Sequence, residues 1–482
     1  MALEIIQKPL YSTFNGMPQP VGQQVIFAVR DNTIVATKFN VKFIAEVYVG
    51  NQNISLTSTN QRIGSFKTTP NNRGVGIFDL NPILESFVKS DNIGSTFGNG
   101  SRYKNNEVTH PIHLIDKYAV SENAVRYYAI NFYVQYENSA GVMFTSDPEP
   151  SNMYTFFNGV LQPDDILTVG QSDYGYNMSS PTNFFISTGG GHFLSNAPTT
   201  QYARLSDYGT LPFFNFLPQS TLDRLDKIIL TYYWDGGSSS QNLSQNWTNG
   251  GLTNNTVSVY KKIMYYGGFP ANLQNWSTTA DYGGNSFETA IGNGLTHYTI
   301  QGSTTKGAAT YLSELYTIQI ICPNGQGFNK GYEMIRLAWL NKWGFWDYYT
   351  FTMKSTRSIS TKRIPYQQQG GTWNESRFKI QGYKGGKKNF KVNSTVKIKI
   401  NTDFVTEAEG KWFEELINSP EVYIINKYDG NESSPYASIT NKYVEPVTLT
   451  TSNYIRKTVA NDKLMQYTFE IEKSKMLRTQ AV

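Results

Sequence analysis

The chain has 482 residues, of which 16% are charged and 14% aromatic, including 33 Tyr and 28 Phe. That ring content can fill several cores and excludes wholesale disorder. The 42 Lys and Arg exceed the 37 Asp and Glu by five, a total too mild to point to nucleic acid by itself. One cysteine, Cys322, excludes an intramolecular disulfide framework and a Cys-based zinc cluster. No apolar run reaches 18 residues, so neither a transmembrane helix nor membrane insertion is expected. Met1–Leu10 carries Glu4 and Lys8 and lacks a signal-peptide core, so synthesis in a reducing cytoplasm is expected.

In chain order, strand signals dominate. Val25–Val29, Lys42–Val49, Tyr127–Tyr136, Lys227–Trp234, Val257–Tyr265 and Leu315–Ile321 are aromatic and β-branched. So are Met334–Leu340, Asp347–Met353, Thr395–Ile400, Glu421–Ile425 and Met465–Ile471. Thr395–Ile400 alternates lysine and aliphatic positions, a period-2 strand with two unlike faces. Two helices are predicted. Asn81–Lys89 has Pro82 in its first turn and Asp79 or Asn81 as a cap; Glu407–Asn418 has apolar positions at i, i+4 spacing. The pattern predicts a mostly β, multi-domain protein of sandwich or barrel modules with a few short helices. Soft boundaries fall at the turn-prone Ser146–Ser151 and at Gln367–Gly371, giving units over 1–150, 151–365 and 366–482. Asp235–Gly251 is a surface loop by composition.

A search for chemistry finds little. His110 and His113, with Asp116, could ligate a metal, but loop histidines are the plainer account. His192 and His297 stand alone, and Cys322 has no activating neighbour. The glycines of 189–191, 236–237 and 283–284 match no phosphate-binding loop. The carboxylate pairs Asp164/Asp165, Asp223/Asp226 and Glu414/Glu415 could serve a glycosidase but have ordinary surface explanations. No catalytic residue, cofactor or metal site is predicted.

Charge is uneven. Between Thr352 and Thr402 stand twelve cations and one acid, Glu375. This strip of +11 leaves −6 for the rest of the chain. Lys384–Lys391 reads as a hairpin tip, with Lys384, Lys387, Lys388 and Lys391 facing DNA, another anion or an acidic partner. The plainer alternative is a solvated, edge-protecting lysine face.

The densest aromatic stretch runs from Arg336 to Thr352. Trp339, Trp343, Trp346 and Tyr348 read as a hairpin core or interface, with a sugar-stacking shelf as the alternative. The core account expects Trp343 and Trp346 to be buried.

The spacing Trp339-x-Asn341-x-x-Gly344-x-x-Asp347-Tyr348 resembles one found in virion structural proteins of tailed phages infecting Bacteroidota, including the crAss-like group. Phe193–Pro198 followed by Asp207–Leu211, Gly74–Leu80, and Trp412–Ile425 with Pro446-Val447 and Tyr467–Ile471 resemble further pieces of such proteins. The resemblance implies a multi-copy particle component of a tail, collar ring or fibre. Its partners would be copies of itself and tail, collar or portal proteins, and it implies no catalytic residues. The expected function is therefore a structural subunit of the tail or head–tail junction, not an enzyme. The alternatives are a glycan-binding adhesin or, further off, a tailspike-type hydrolase.

Overall fold

A computed structural model describes residues 3–9, 18–51, 54–89, 118–121, 123–160, 191–216, 227–244, 261–273, 286–306, 309–321, 332–426, 444–451, 453–455 and 465–478. The described residues are mostly β, in several separate sheets with few short helices. They fall into two compact units. The first comprises Met1–Ile321, Leu340–Asp347 and Tyr436–Ile439; the second comprises Cys322–Trp339, Tyr348–Pro435 and Thr440–Val482.

In the first unit, Glu4–Gln7, Ile26–Arg30 and Val75–Asp79 form a small antiparallel sheet. A larger sheet runs in the order Pro18–Pro20, Tyr154–Phe157, Val125–Glu137, Phe39–Gly50, Arg62–Thr68. The inward positions of both sheets share one core. Phe27 of the small sheet meets Phe132 and Tyr154 of the large one at ring distances of 5.6 and 5.7 Å. These are two sheets packed face to face, because each has one apolar side to hide. A third sheet orders Thr200–Ala203, Tyr316–Ile320, Leu295–Lys306, Lys227–Trp234 and Gly237–Ser244. Its last strand lies where composition indicated a loop. Asp235-Gly236 makes the tight turn, Gly236 at φ 84°, and Gly237–Ser244, exposed over Gly237–Ser240, pairs residue by residue with Lys227–Trp234. An edge strand needs no apolar face, so composition alone misreads it.

The helix predicted over 81–89 is a single turn, Asn81–Leu84, followed by a 3-10 turn, Glu85–Phe87. Pro82 is in its first turn. Asp79 Oδ1 accepts the N–H of Asn81 at 3.1 Å, and also that of Val25 at 3.1 Å.

A further sheet, most of whose residues belong to the second unit, runs in the order Trp346–Phe351, Ile335–Leu340, Val422–Ile425, Val444–Leu449, Thr468–Lys473, Gly386–Asn401, Thr356–Gln368. The 365/366 boundary drawn from sequence falls inside its last strand. Helix Glu407–Asn418 covers this sheet with Trp412, Phe413 and Leu416. A reciprocal cap starts it: Thr406 Oγ1 accepts the Glu409 N–H, and Glu409 Oε2 accepts the Thr406 N–H at 2.7 Å. Thr406→Ala is expected to lower stability by about 1 kcal/mol, read as a shift in the urea midpoint at unchanged slope.

Candidate functional site

Two features carry the residues singled out by sequence: the Trp-rich hairpin and the basic ribbon. In the hairpin, Ile335–Leu340 and Trp346–Phe351 are the strands. Trp343 and Trp346 are each 1% exposed, and Trp339 and Tyr348 are buried as well. Neither Trp343 nor Trp346 presents a ring face to a sugar. Trp339 packs on Trp412 at 4.8 Å, and the Arg336 guanidinium lies 5.2 Å from the Tyr348 ring.

The spaced polar residues of the hairpin motif hold its turn. Asn341 Oδ1 accepts the N–H groups of Trp343 and Phe345 at 3.0 and 3.1 Å. Its Nδ2 donates to the Leu194 carbonyl at 3.0 Å and to Asp347 Oδ1 at 3.1 Å. Ser195 Oγ donates to the same Asp347 oxygen at 2.6 Å, and Trp343 Nε1 donates to Asn196 Oδ1 at 3.3 Å. Two pieces far apart in sequence, Phe193–Pro198 and Asn341–Asp347, are thus one hydrogen-bonded junction inside the first unit. The Asp207–Leu211 piece is equally structural: Asp207 accepts the Arg204 N–H, and the Gly209 N–H donates to Asn272.

The ribbon is Thr356–Gln368 paired antiparallel with Gly386–Asn401. Thr356–Gln368 is an edge strand whose first ten residues are all exposed. Cross-strand partners share a face. One face therefore carries Lys362, Ile364 and Tyr366 with Lys388, Lys391, Lys397 and Lys399. The register shifts between Ile364 and Pro365, opposite Phe390. This bulge puts Lys388 on the face of Lys391, which strict alternation over three residues would deny it. Arg363 and Lys387 lie on the other face.

Near the sheet the lysine row is answered. Lys397 Nζ is 3.2 Å from Glu470 and 4.0 Å from Glu472. Its hydrogen bond, with that of Thr450, holds the Glu470 carboxyl below the usual glutamate range. Farther out, Lys388 donates to the Tyr383 carbonyl at 3.2 Å, while no carboxylate meets Lys362 or Lys391 among the described residues.

The hairpin end is longer than the sequence indicated. Residues 369–385 form its loop, so Lys384 sits in the loop, and Lys387, Lys388 and Lys391 are on the returning strand. Thr372 is buried and organises this loop, its Oγ1 donating to the Arg377 carbonyl and accepting the Lys379 N–H. Around it, Trp373 is 71% exposed, Ile380 88% and Tyr383 70%. These apolar residues were not singled out from sequence. The visible signal was three rings and an isoleucine between glycines with too few neighbours to form a core.

His192 Nδ1 lies 2.7 Å from Glu314 Oε2, and this bond raises the imidazole pKa above 6.5 against partial desolvation. A raised folded pKa stabilises below the unfolded value and is lost as pH rises through the folded one. Stability is therefore expected to decline slightly as pH rises above about 6.5, and His192→Gln should flatten that part of a urea-midpoint against pH series. His297 stacks on Tyr233 at 4.6 Å. Glu414 and Glu415 are half-buried on the Glu407–Asn418 helix. His110, His113, Asp116, Asp164, Asp165, Asp223, Asp226 and Cys322 lie outside the described residues. Among the described residues, no group of three or more His, Cys, Asp or Glu could hold a metal ion.

No protein-family model and no curated protein matches the chain. Among solved structures, the native conformation of E. coli alpha-2-macroglobulin aligns at 8% identity and a TM-score of 0.18. The alignment covers 82% of this chain and 21% of that one, so the chain spans about a fifth of that protein's length. A superposition this loose bears on neither fold nor function.

Proposed function

We propose that the chain is a structural subunit of a tailed-phage virion, present in many copies at the tail or the head–tail junction. Its work is to form contacts with copies of itself and with tail, collar or portal proteins, without catalysis. One observation carries the assembly part: open strand edges that bear apolar side chains. Thr356–Gln368 leaves a long edge unpaired among the described residues and exposes Ile359 and Ile364. In the first unit, Met143–Thr145 pairs only with Val125–Glu137 among the described strands, and Val142, Met143 and Phe144 are about half exposed. Isolated chains usually blunt such edges, whereas assemblies bury them. The phage part rests on the sequence resemblance.

Subunits of this kind close into cyclic oligomers. The purified chain is expected to give discrete rings or short tubes in negative-stain images and one dominant mass in native mass spectrometry. Phe144→Glu or Ile359→Glu should shift that mass toward the monomer with the circular dichroism spectrum kept. A strict monomer at every concentration, alone and mixed with its neighbouring gene products, would sink the assembly reading.

A further inference from the structure

We infer that the basic ribbon binds duplex DNA, its lysine face set against the phosphate backbone. This stands on the ribbon's own geometry and does not depend on the virion reading. The bulge gathers Lys388 beside Lys391 and Lys362 on one side of a two-stranded ribbon. Such a ribbon has the width that a major groove about 12 Å wide admits. Between Thr356 and Asn401 there are eleven cations and one acid, Glu375. Among the described residues, carboxylates answer the ribbon near the sheet, where Glu470 and Glu472 answer Lys397 and Glu333 answers Arg357. Farther out, no carboxylate among the described residues meets Lys362 or Lys391.

Edge protection alone explains a lysine or two. It does not explain a shift of phase that brings two lysines three residues apart to the same face. The loop beyond the ribbon adds exposed Trp373, Phe378 and Tyr383, organised around buried Thr372 and interspersed with Arg377, Lys379 and Lys384. Exposed rings among cations suit duplex DNA, the cations taking phosphates while the rings pack on apolar groove-edge atoms such as the thymine methyl. An acidic protein or an anionic lipid surface would use the charges too, and the test includes both.

The test compares two variants of equal charge on opposite faces, Lys388→Gln/Lys391→Gln and Arg363→Gln/Lys387→Gln. Binding of a labelled 30-bp duplex is followed by fluorescence anisotropy from about 50 to 200 mM salt, a range over which phosphate contacts weaken affinity steeply. Each phosphate contact contributes about 0.9 to the slope of log affinity against log salt. The wild-type chain should bind, and the lysine-face variant should flatten the slope by about 1.8. The opposite-face variant should change it little, since charges a Debye length of about 10 Å away are screened. Trp373→Ala/Tyr383→Ala should weaken binding at every salt concentration with the slope unchanged. Circular dichroism checks that each variant keeps its fold. No binding at 50 mM salt, equal loss from both faces, or retention only on phosphatidylglycerol vesicles or an acidic protein column would overturn the inference.

Discussion

Gly344→Ala is expected to be the most damaging glycine-to-alanine change among the described residues. Gly344 turns the Trp-rich hairpin at φ 76°, a left-handed conformation that costs an L-residue about 1–2 kcal/mol. A Cβ built there would also enter the van der Waals shell of the Asn158 carbonyl oxygen. Backbone cannot swing aside as a side-chain end can, and overpacking of this kind costs about 1–3 kcal/mol. The combined loss, about 2–5 kcal/mol from those two terms, is a large share of a domain's usual stability. The measurement is the denaturant midpoint together with soluble yield. Gly236→Ala is the control: its φ is 84°, but a Cβ there meets nothing within 4 Å. It should show the conformational cost alone. Equal losses at the two positions would show that Asn158 does not matter.

Asn341→Asp is expected to rank with it, for an electrostatic reason. The substitution keeps the oxygen that accepts from Trp343 and Phe345. It replaces the amide that donates to Leu194 and Asp347 with a second carboxylate oxygen 3.1 Å from the first carboxylate. Both residues are buried. Two like charges at that distance with little water raise one carboxyl's pKa strongly, and an uncompensated buried charge costs about 3–5 kcal/mol. The defect should shrink as pH falls through the raised pKa, because a protonated carboxyl can donate where the amide did. Asn341→Asp/Asp347→Asn should recover much of the loss at neutral pH. A defect independent of pH, with no recovery in the double variant, would refute the charge argument and leave only a packing effect.

The sequence was legible where burial is one-sided or complete. Val125–Glu137 and Lys227–Trp234 announce themselves as strands because their neighbours bury one or both faces. Glu407–Asn418 was legible because one face is apolar and its cap is local. Thr356–Gln368 was not, because an exposed ribbon strand has no apolar face to set its period. Gly237–Ser244 failed because its Gly, Ser, Gln and Asn sequence carries no alternating apolar pattern. For the candidate site, composition located the lysines but not their faces. A bulge reverses the parity of every residue beyond it, and no rule of alternation predicts where it falls. The hub at Asn341 was partly visible. Asn-x-x-Gly is turn grammar, since Asn bonds its own backbone and Gly accepts positive φ, but its tie to Leu194, 147 residues away, belongs to the tertiary fold.

The two compact units are interleaved along the chain, and this sets an order in time. The first unit includes Leu340–Asp347, after the chain has already entered the second. While residue 321 is leaving the ribosome, the Leu194 carbonyl and the Ser195 hydroxyl still lack Asn341 and Asp347. At about 5–20 residues per second those partners follow a few seconds later. The first unit therefore cannot close in its final form ahead of the hairpin. The bonds that tie Leu194 and Ser195 wait on a segment made after the strands of the unit's own sheets, so this junction is clocked by synthesis.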